Sequence, residues 1–257
     1  MNRIDECLAN LKANNKKALV SFVLCGDPTL DYTKQLILDL ANSGTDIIQL
    51  GIPFSDPIAQ GPTIQDASKR SIEAGTNLKR IIDMVIEIRK VTNIPLMFIL
   101  YANTVYSKNI NKFFKRCKEI GIDAVLIPDL PYEELAEFEN ESKQYGIKLI
   151  RTLTPSSTTR VKMIVDKADS FVSCISSSRT TFINDLTKLS KEIKDYSTIT
   201  TLLELDICTT KEVETLKNTA DGIIINSVIV ELIEEYKDLA TPYILSFIKE
   251  LRTILDK

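Results

Sequence analysis

Eight short runs rich in β-branched apolar residues recur along the chain, and longer amphipathic stretches separate them. A strand that is apolar on both faces and is followed by a helix indicates a buried parallel sheet. Eight such units close most naturally into a (β/α)8 barrel, which is the fold that the sequence predicts. The predicted strands are 18–24, 46–51, 94–100, 124–128, 148–153, 170–175, 198–205 and 222–225.

Helical patterns lie between the strands, and a charged amphipathic stretch at 1–15 predicts a short N-terminal helix. Glycine precedes four strands, at Gly44, Gly121, Gly146 and Gly222, which predicts left-handed C-terminal helix caps there. No linker or charge block interrupts the alternation, so we expect a single domain over 1–257. The predicted helices are 32–42, 77–91, 110–120, 132–145, 159–167, 185–196, 211–218 and 243–255.

The composition excludes several classes of function. Histidine is absent, which rules out Ser-His-Asp triads, Cys-His dyads and the usual His-bearing zinc sites, and we expect no bound metal. A net charge of -3 gives no general positive field for nucleic acid or an anionic membrane. Any acid–base chemistry must therefore come from carboxylates, Lys, Tyr or Cys.

The cysteines and the apolar runs bear on the compartment. No apolar run approaches the ~20 residues of a membrane span, and 1–15 lacks the apolar core of a signal peptide. The cysteines are odd in number and form no CxxC pair, which favours reduced thiols. We therefore expect a soluble cytoplasmic protein, with free thiols at Cys7, Cys25, Cys117, Cys174 and Cys208.

The most specific motif is QLGIPFSDPIAQGPTIQ, residues 49–65, which follows the second predicted strand. Together with Phe22, GDP at 26–28, YAN at 101–103 and DLP at 129–131, it resembles the alpha subunit of tryptophan synthase. In that family an acid ends the strand, and an Ala-Asp pair precedes Gly-Pro-Thr-Ile-Gln. Here Gln49 and Gln60 stand in place of the two acids. The resemblance extends from Lys17 to Val230, and is loosest in the last third.

The resemblance implies a retro-aldol cleavage of indole-3-glycerol phosphate to indole and glyceraldehyde 3-phosphate. One family acid shuttles protons, and the other stabilises positive charge on the indole nitrogen. General acid–base catalysis is worth ~10²- to 10⁴-fold, and an amide supplies neither a titrating group nor a charge. We expect Gln49 and Gln60 to leave little cleavage, although a plain polar role at the barrel end or in the loop is an alternative for each.

The phosphate-binding turns of the resembled family also depart from their pattern. There, glycine-rich turns after strands six, seven and eight and a helix N-terminus hold the phosphate. Here 176–182 reads SSSRTTF, 204–207 reads ELDI and 225–228 reads INSV. Phe182 replaces a glycine, and Glu204 and Asp206 place acids near a dianion, so we expect weak phosphate binding. Alternatively, Glu204 and Asp206 form a new catalytic pair, and 177–179 binds an anion or is a plain loop.

The resemblance further implies where substrate and partner would bind. A pyridoxal-phosphate-bearing beta subunit would face the loop after strand two, with Asp56 close to a lysine, in an alpha2beta2 complex. The chain itself is expected to hold no cofactor. The residues implied for substrate are Phe22, Leu100, Tyr101, Thr181 and Ser227, where apolar side chains could instead be core packing; those implied for the partner are Pro53, Phe54, Ser55, Asp56, Pro57, Asp129 and Pro131.

Three functions remain open on the sequence alone. The first is a nearly inactive alpha subunit that shifts a beta subunit towards its active, closed state, which needs only a differential affinity for two states. The second is an active lyase in which water or other side chains replace the lost acids. The third is a barrel recruited to a different, phosphate-free ligand. The retained partner-facing loop and the altered catalytic and phosphate groups favour the first.

Overall fold

The computed structural model describes residues 2–157, 160–176, 180–206 and 209–257. Eight parallel strands pair in sequence order, and the last pairs with the first, so that the sheet closes into a barrel. The predicted (β/α)8 fold is confirmed. The strands are β1 (Ala18–Leu24), β2 (Ile47–Gly51), β3 (Leu96–Ile99), β4 (Ala124–Leu126), β5 (Lys148–Leu153), β6 (Phe171–Ile175), β7 (Thr200–Leu205) and β8 (Gly222–Ile225).

Twelve helices surround the sheet in the described part of the chain, with 3₁₀ turns at Tyr132–Glu134, Pro155–Ser157 and Lys237–Leu239. None of them is long and apolar enough to cross a membrane. The helices are α1 (Arg3–Ala13), α2 (Leu30–Ala41), α3 (Pro62–Glu73), α4 (Leu78–Arg89), α5 (Ala102–Tyr106), α6 (Ile110–Ile120), α7 (Ala136–Tyr145), α8 (Val161–Val165), α9 (Phe182–Tyr196), α10 (Thr210–Leu216), α11 (Ser227–Tyr236) and α12 (Thr241–Leu255).

The sequence pattern misses α3, α5 and α11. The buried face of α3 contains two serines and an alanine besides Ile64, so the apolar periodicity that marks a helix is weak. Helix α11 begins two residues after β8 ends, and its first four residues, SVIV, are mostly β-branched, which is not typical of a helix. The predicted helix 132–145 is a 3₁₀ turn followed by α7, and Thr159, where a helix was predicted to begin, lies outside the described residues.

The four glycines divide into two roles. Gly44, Gly121 and Gly146 have φ angles of 102°, 80° and 69°, the left-handed region that favours glycine, as predicted. The prediction for Gly222 is wrong, because this residue begins β8 and has no positive φ. A Cβ there would lie 2.3 Å from the carbonyl oxygen of Ala18, so a glycine is needed for the close approach of β8 to β1.

Two apolar layers make up the core. Outward-facing strand residues such as Ile48 and Leu50 pack against the helices, and inward-facing ones such as Ile47, Met97 and Leu202 fill the barrel. This alternation of direction along each strand decides which residues reach the interior. The described cysteines Cys7, Cys25, Cys117 and Cys174 are free thiols, while Cys208 lies outside the described residues.

Helix α1 closes the amino-terminal end of the barrel. Its residues Ile4 and Leu8 join the interior apolar cluster. Asp123, just before β4, accepts hydrogen bonds from Arg3 of α1 at 2.8 Å and from Arg89 of α4 at 3.0 Å. Helix α1 thus covers the end of the barrel opposite to the carboxyl-terminal end, where (β/α)8 barrels carry their sites.

Candidate functional site

A cavity of about 610 Å³ opens at the carboxyl-terminal end of the barrel. This volume lies within the ~300–1,000 Å³ of typical small-molecule sites. Its apolar wall includes Phe22 of β1, Ile99 of β3 and Leu126 of β4, and its polar residues come mainly from β5 to β8 and the loops that follow them. The polar residues are Gln60, Thr152, Thr154, Ser176, Glu204, Asp206, Thr209, Glu212 and Asn226.

Gln49 lies inside the barrel on β2. It is 0% exposed, and its strand neighbours Phe22 and Met97 both belong to the interior apolar cluster. Neither Nε2 nor Oε1 finds a hydrogen-bond partner among the described residues. An unpaired buried polar group costs ~1–3 kcal/mol. This amide is not among the residues that line the cavity, and it cannot carry a proton near neutral pH.

Gln60 lies in the loop between β2 and α3 and lines the cavity. Its backbone is fixed, since its N–H donates to the Pro57 carbonyl at 3.0 Å and its own carbonyl accepts from Gln65 Nε2 at 2.7 Å. Gly61 follows as the N-cap of α3 and also lines the cavity. The two glutamines therefore occur at the same end of the barrel, one inside it and one on the loop above.

Glu204 is buried in the barrel and lines the cavity. Ser173 Oγ donates to it at 2.8 Å, and Asn226 Nδ2 donates at 2.5 Å. Burial raises the pKa of Glu204, which these hydrogen bonds partly oppose and the neighbouring Asp206 reinforces. A buried carboxyl of this kind can hold a proton that an exposed one would lose.

Asp206 follows β7 directly and accepts a short hydrogen bond from the Ser227 hydroxyl at the start of α11. The backbone N–H of Ser227 donates to the Asp206 carbonyl at 3.0 Å. The first residue of α11 is therefore already bound by an acid of the same chain. The last residue of this predicted turn, Ile207, lies outside the described residues.

Only part of the predicted phosphate turn at 176–182 lines the cavity. Phe182 begins α9 and lines the cavity, whereas Thr181 is exposed and donates to Asp185 at 2.7 Å. Residues 177–179, which were expected to bind an anion or form a plain loop, lie outside the described residues. Among the described residues that line the cavity, three are acids and none is Lys or Arg.

The apolar residues that the resemblance implies for substrate separate in space. Phe22 lines the cavity as expected. Leu100 does not, because it packs in the outer apolar layer, whereas the preceding Ile99 faces the cavity. Tyr101 is 3% exposed and supports the β2–α3 loop: its ring stacks on Phe54 at 4.9 Å, and its hydroxyl accepts from the Ala59 N–H at 3.0 Å.

Sequence reasoning missed Ile99 and Leu126 as cavity residues, and it gave Asn226 no role of its own within the turn 225–228. The first two follow from period-two alternation once the direction of each strand is known. Asn226 gave a weaker signal, as the residue that follows β8 at the carboxyl-terminal end.

The residues expected to face a partner form one surface at the same end of the barrel. Ser55, Asp56, Asp129 and Pro131 are exposed, whereas Pro53 and Phe54 are half-buried and Pro57 is buried. The carboxylate of Asp129 accepts from the N–H of Ala102 at 2.9 Å. Since Ala102 follows Tyr101, which contacts the loop at Phe54 and Ala59, the two halves of the surface are linked through packed residues.

Comparison with known proteins identifies relatives over nearly the whole chain. The family model described as "Tryptophan synthase alpha chain" matches residues 8–252. A tryptophan synthase alpha chain from Alkaliphilus metalliredigens (strain QYMF) is 41% identical over 239 residues, covering 91% of this chain and 90% of the relative. One from Thermoanaerobacter sp. (strain X514) is 37% identical over 262 residues, covering 99% and 100%.

Solved structures agree with the sequence relatives. The tryptophan synthase subunit alpha from Legionella pneumophila str. Paris superposes with a TM-score of 0.92 at 28% identity, over 100% of this chain and 99% of that one. A chain of the tryptophan synthase complex from Pyrococcus furiosus gives 0.86 at 29% identity, over 92% and 98%. With the family model and the relatives above 30% identity, these matches show that the chain belongs to the tryptophan synthase alpha chain family.

Proposed function

We propose that this chain is a tryptophan synthase alpha subunit with little or no retro-aldol activity, which serves L-tryptophan biosynthesis mainly by activating a beta subunit. The observation that carries the proposal is Gln49, a fully buried amide at the position where the family has its strand acid. The barrel encloses this side chain, and its amide has no hydrogen-bond partner among the described residues. Gln60 removes the second acid.

The acidic end of the cavity supports the same proposal. Cleavage of indole-3-glycerol phosphate requires a site for a phosphate dianion. Glu204 and Asp206 line that end, and no Lys or Arg lines it among the described residues. Since like charges repel strongly in a partly desolvated cavity, the substrate phosphate is disfavoured there.

The partner-facing surface supplies the activating role. Exposed Asp56, Asp129 and Ile58, which is 75% exposed, provide polar and apolar contacts for a beta subunit that carries the pyridoxal phosphate. A subunit that binds only the closed state of its partner raises the partner's activity without chemistry of its own. The proposed assembly is an alpha2beta2 complex in the cytoplasm, consistent with the free thiols.

A second candidate is an active lyase in which Glu204 replaces a lost acid. Burial raises the pKa of Glu204 and suits it to hold a proton, and the residue lines the cavity. An active lyase would still have to bind the substrate phosphate, which the acids at this end of the cavity disfavour. The first proposal is therefore preferred.

The test has two arms on one sample: cleavage of indole-3-glycerol phosphate by the chain with its beta partner, and the partner's indole-plus-serine rate with and without the chain. We expect stimulation without measurable cleavage. Asp56→Ala should reduce the stimulation, and exposed Asp83→Ala on α4 is the matched control. Cleavage at an ordinary rate would overturn the proposal in favour of the second candidate, and neither effect would indicate a repurposed barrel.

A further inference from the structure

The cavity combines an apolar wall with an acidic end. Phe22, Ile99 and Leu126 supply the wall, and Glu204 and Asp206 supply carboxyl groups. The described lining residues include no cation that would neutralise them. A phosphate dianion is repelled by such groups, whereas an ammonium group is attracted by them. The charge of the described lining residues thus favours cationic over anionic ligands.

Two buried amides have hydrogen-bonding atoms without a partner in the described part of the chain. Asn226 is 6% exposed, lines the cavity and donates to Glu204, but its Oδ1 accepts no hydrogen bond. Gln49 has both amide atoms free and does not itself line the cavity, but it lies beside the cavity residue Phe22. Buried polar atoms are normally paired in native proteins. These two amides therefore indicate a ligand that supplies the missing partners.

The positions of the free atoms restrict the ligand further. Asn226 Oδ1 accepts only from a donor, and it lies next to Glu204, so an N–H of a cationic group satisfies both. Gln49 offers a donor and an acceptor on β2, which β1 separates from β8 and Asn226. A purely alkyl amine would leave Gln49 unpaired, whereas a ring N–H or hydroxyl pairs with it.

We propose that the cavity binds a phosphate-free aromatic amine. The ring packs against Phe22, Ile99 and Leu126 and presents a polar ring atom to Gln49. The ammonium group binds at Glu204, Asp206 and Asn226. This inference rests on the proposed function only in one respect, namely that the cavity does not act on a phosphate ester.

The test uses tryptamine, whose indole ring carries an ammonium group, and compares it with neutral indole. Because the chain contains no tryptophan, ligand indole fluorescence is measured without a protein tryptophan signal. We expect tryptamine to bind the isolated chain at least about tenfold more tightly than indole, the effect of a hydrogen-bonded charged group. We expect inorganic phosphate at millimolar concentration not to displace it.

Variants assign the difference to the two acids. Glu204→Gln with Asp206→Asn should weaken tryptamine binding by at least about tenfold and leave indole binding within about twofold. Asp206→Asn alone should weaken it in the same direction, and serves if the double variant does not fold. Asp83→Asn, on an exposed surface of α4, is the control and should change neither affinity.

Equal affinities for tryptamine and indole in the unchanged chain would overturn the inference. So would unchanged tryptamine binding in a folded acid-to-amide variant, or displacement of tryptamine by phosphate. These measurements need no beta subunit and no cleavage. Failure of amine binding therefore does not change the result expected in the two-arm activity test. Ordinary cleavage in that test would contradict the proposed function and would not change the binding result.

Discussion

At the scale of single residues, Gln49 and Gln60 differ in how firmly the fold fixes them. Gln49 lies between its strand neighbours on β1 and β3, and its side chain is held inside the barrel. Gln60 sits on a loop and is held mainly through its backbone. Both amides keep the size of a carboxylate side chain or nearly so. Each amide can still donate and accept a hydrogen bond, but it supplies neither a charge nor a titrating group.

Restoring both acids should recover catalysis only in part. We expect Gln49→Glu with Gln60→Asp to raise kcat for indole-3-glycerol phosphate cleavage by some of the ~10²- to 10⁴-fold that acid–base groups supply. KM should stay high, because Glu204 and Asp206 still repel the phosphate. Steady-state kinetics with the beta partner separates the two constants.

The control for this change is Gln144→Glu, an exposed amide on α7, which should alter neither constant. Full recovery of kcat together with a low KM would show that the acidic end of the cavity does not impede phosphate binding.

At the scale of elements, the sequence predicts the strands well and the site only in part. Every strand is found within two residues of its predicted ends, because a buried parallel strand is a continuous apolar run. Leu100 was misplaced, because a shift of one residue reverses the direction of a strand side chain. The hydrogen bonds of Ser173 and Asn226 to Glu204 join β6, β7 and the residue after β8, which lie more than 20 residues apart, and no local pattern encodes them.

The closure of the barrel by α1 also belongs to this scale. Asp123 binds Arg3 and Arg89 and accepts from the N–H of Leu96 at 3.0 Å. Its side chain is 4% exposed and that of Arg89 is 10% exposed. Asp123→Ala leaves a buried guanidinium without its carboxylate, and we expect a loss of about 3 kcal/mol in the free energy of unfolding.

Urea unfolding measures this loss. Asp83→Ala removes an exposed i,i+4 pair with Lys79 and should cost no more than about 0.5 kcal/mol. A loss for Asp123→Ala as small as that of the control would mean that the ion pairs around α1 do not stabilise the barrel.

At the scale of the whole molecule, Glu204 couples the cavity to global stability. An unfolded Glu carboxyl titrates near ~4.3, and burial raises the pKa of Glu204 above this in the folded chain. The folded state thus binds the proton more tightly. The contribution of Glu204 is most favourable below ~4.3 and declines as the pH rises through the unfolded and then the folded pKa.

We therefore expect Glu204→Gln to flatten the fall in the free energy of unfolding as the pH rises above ~4.3, and to stabilise the chain near neutral pH. Urea unfolding of both proteins across a pH series measures the slopes. Glu137→Gln, an exposed acid on α7, is the control and should leave the slope unchanged. Parallel curves for the parent chain and Glu204→Gln would contradict the assignment.

The arrangement of α1 has a consequence for how such a barrel can change over time. The ion pairs at the amino-terminal end and the cavity at the carboxyl-terminal end share few residues, so substitutions in one region disturb the other little. Cavity residues can therefore be substituted one at a time during evolution. The ion pairs at the opposite end continue to stabilise the fold. Because α1 and its ion pairs stabilise the amino-terminal end, the cavity at the carboxyl-terminal end can change its ligand without loss of the fold.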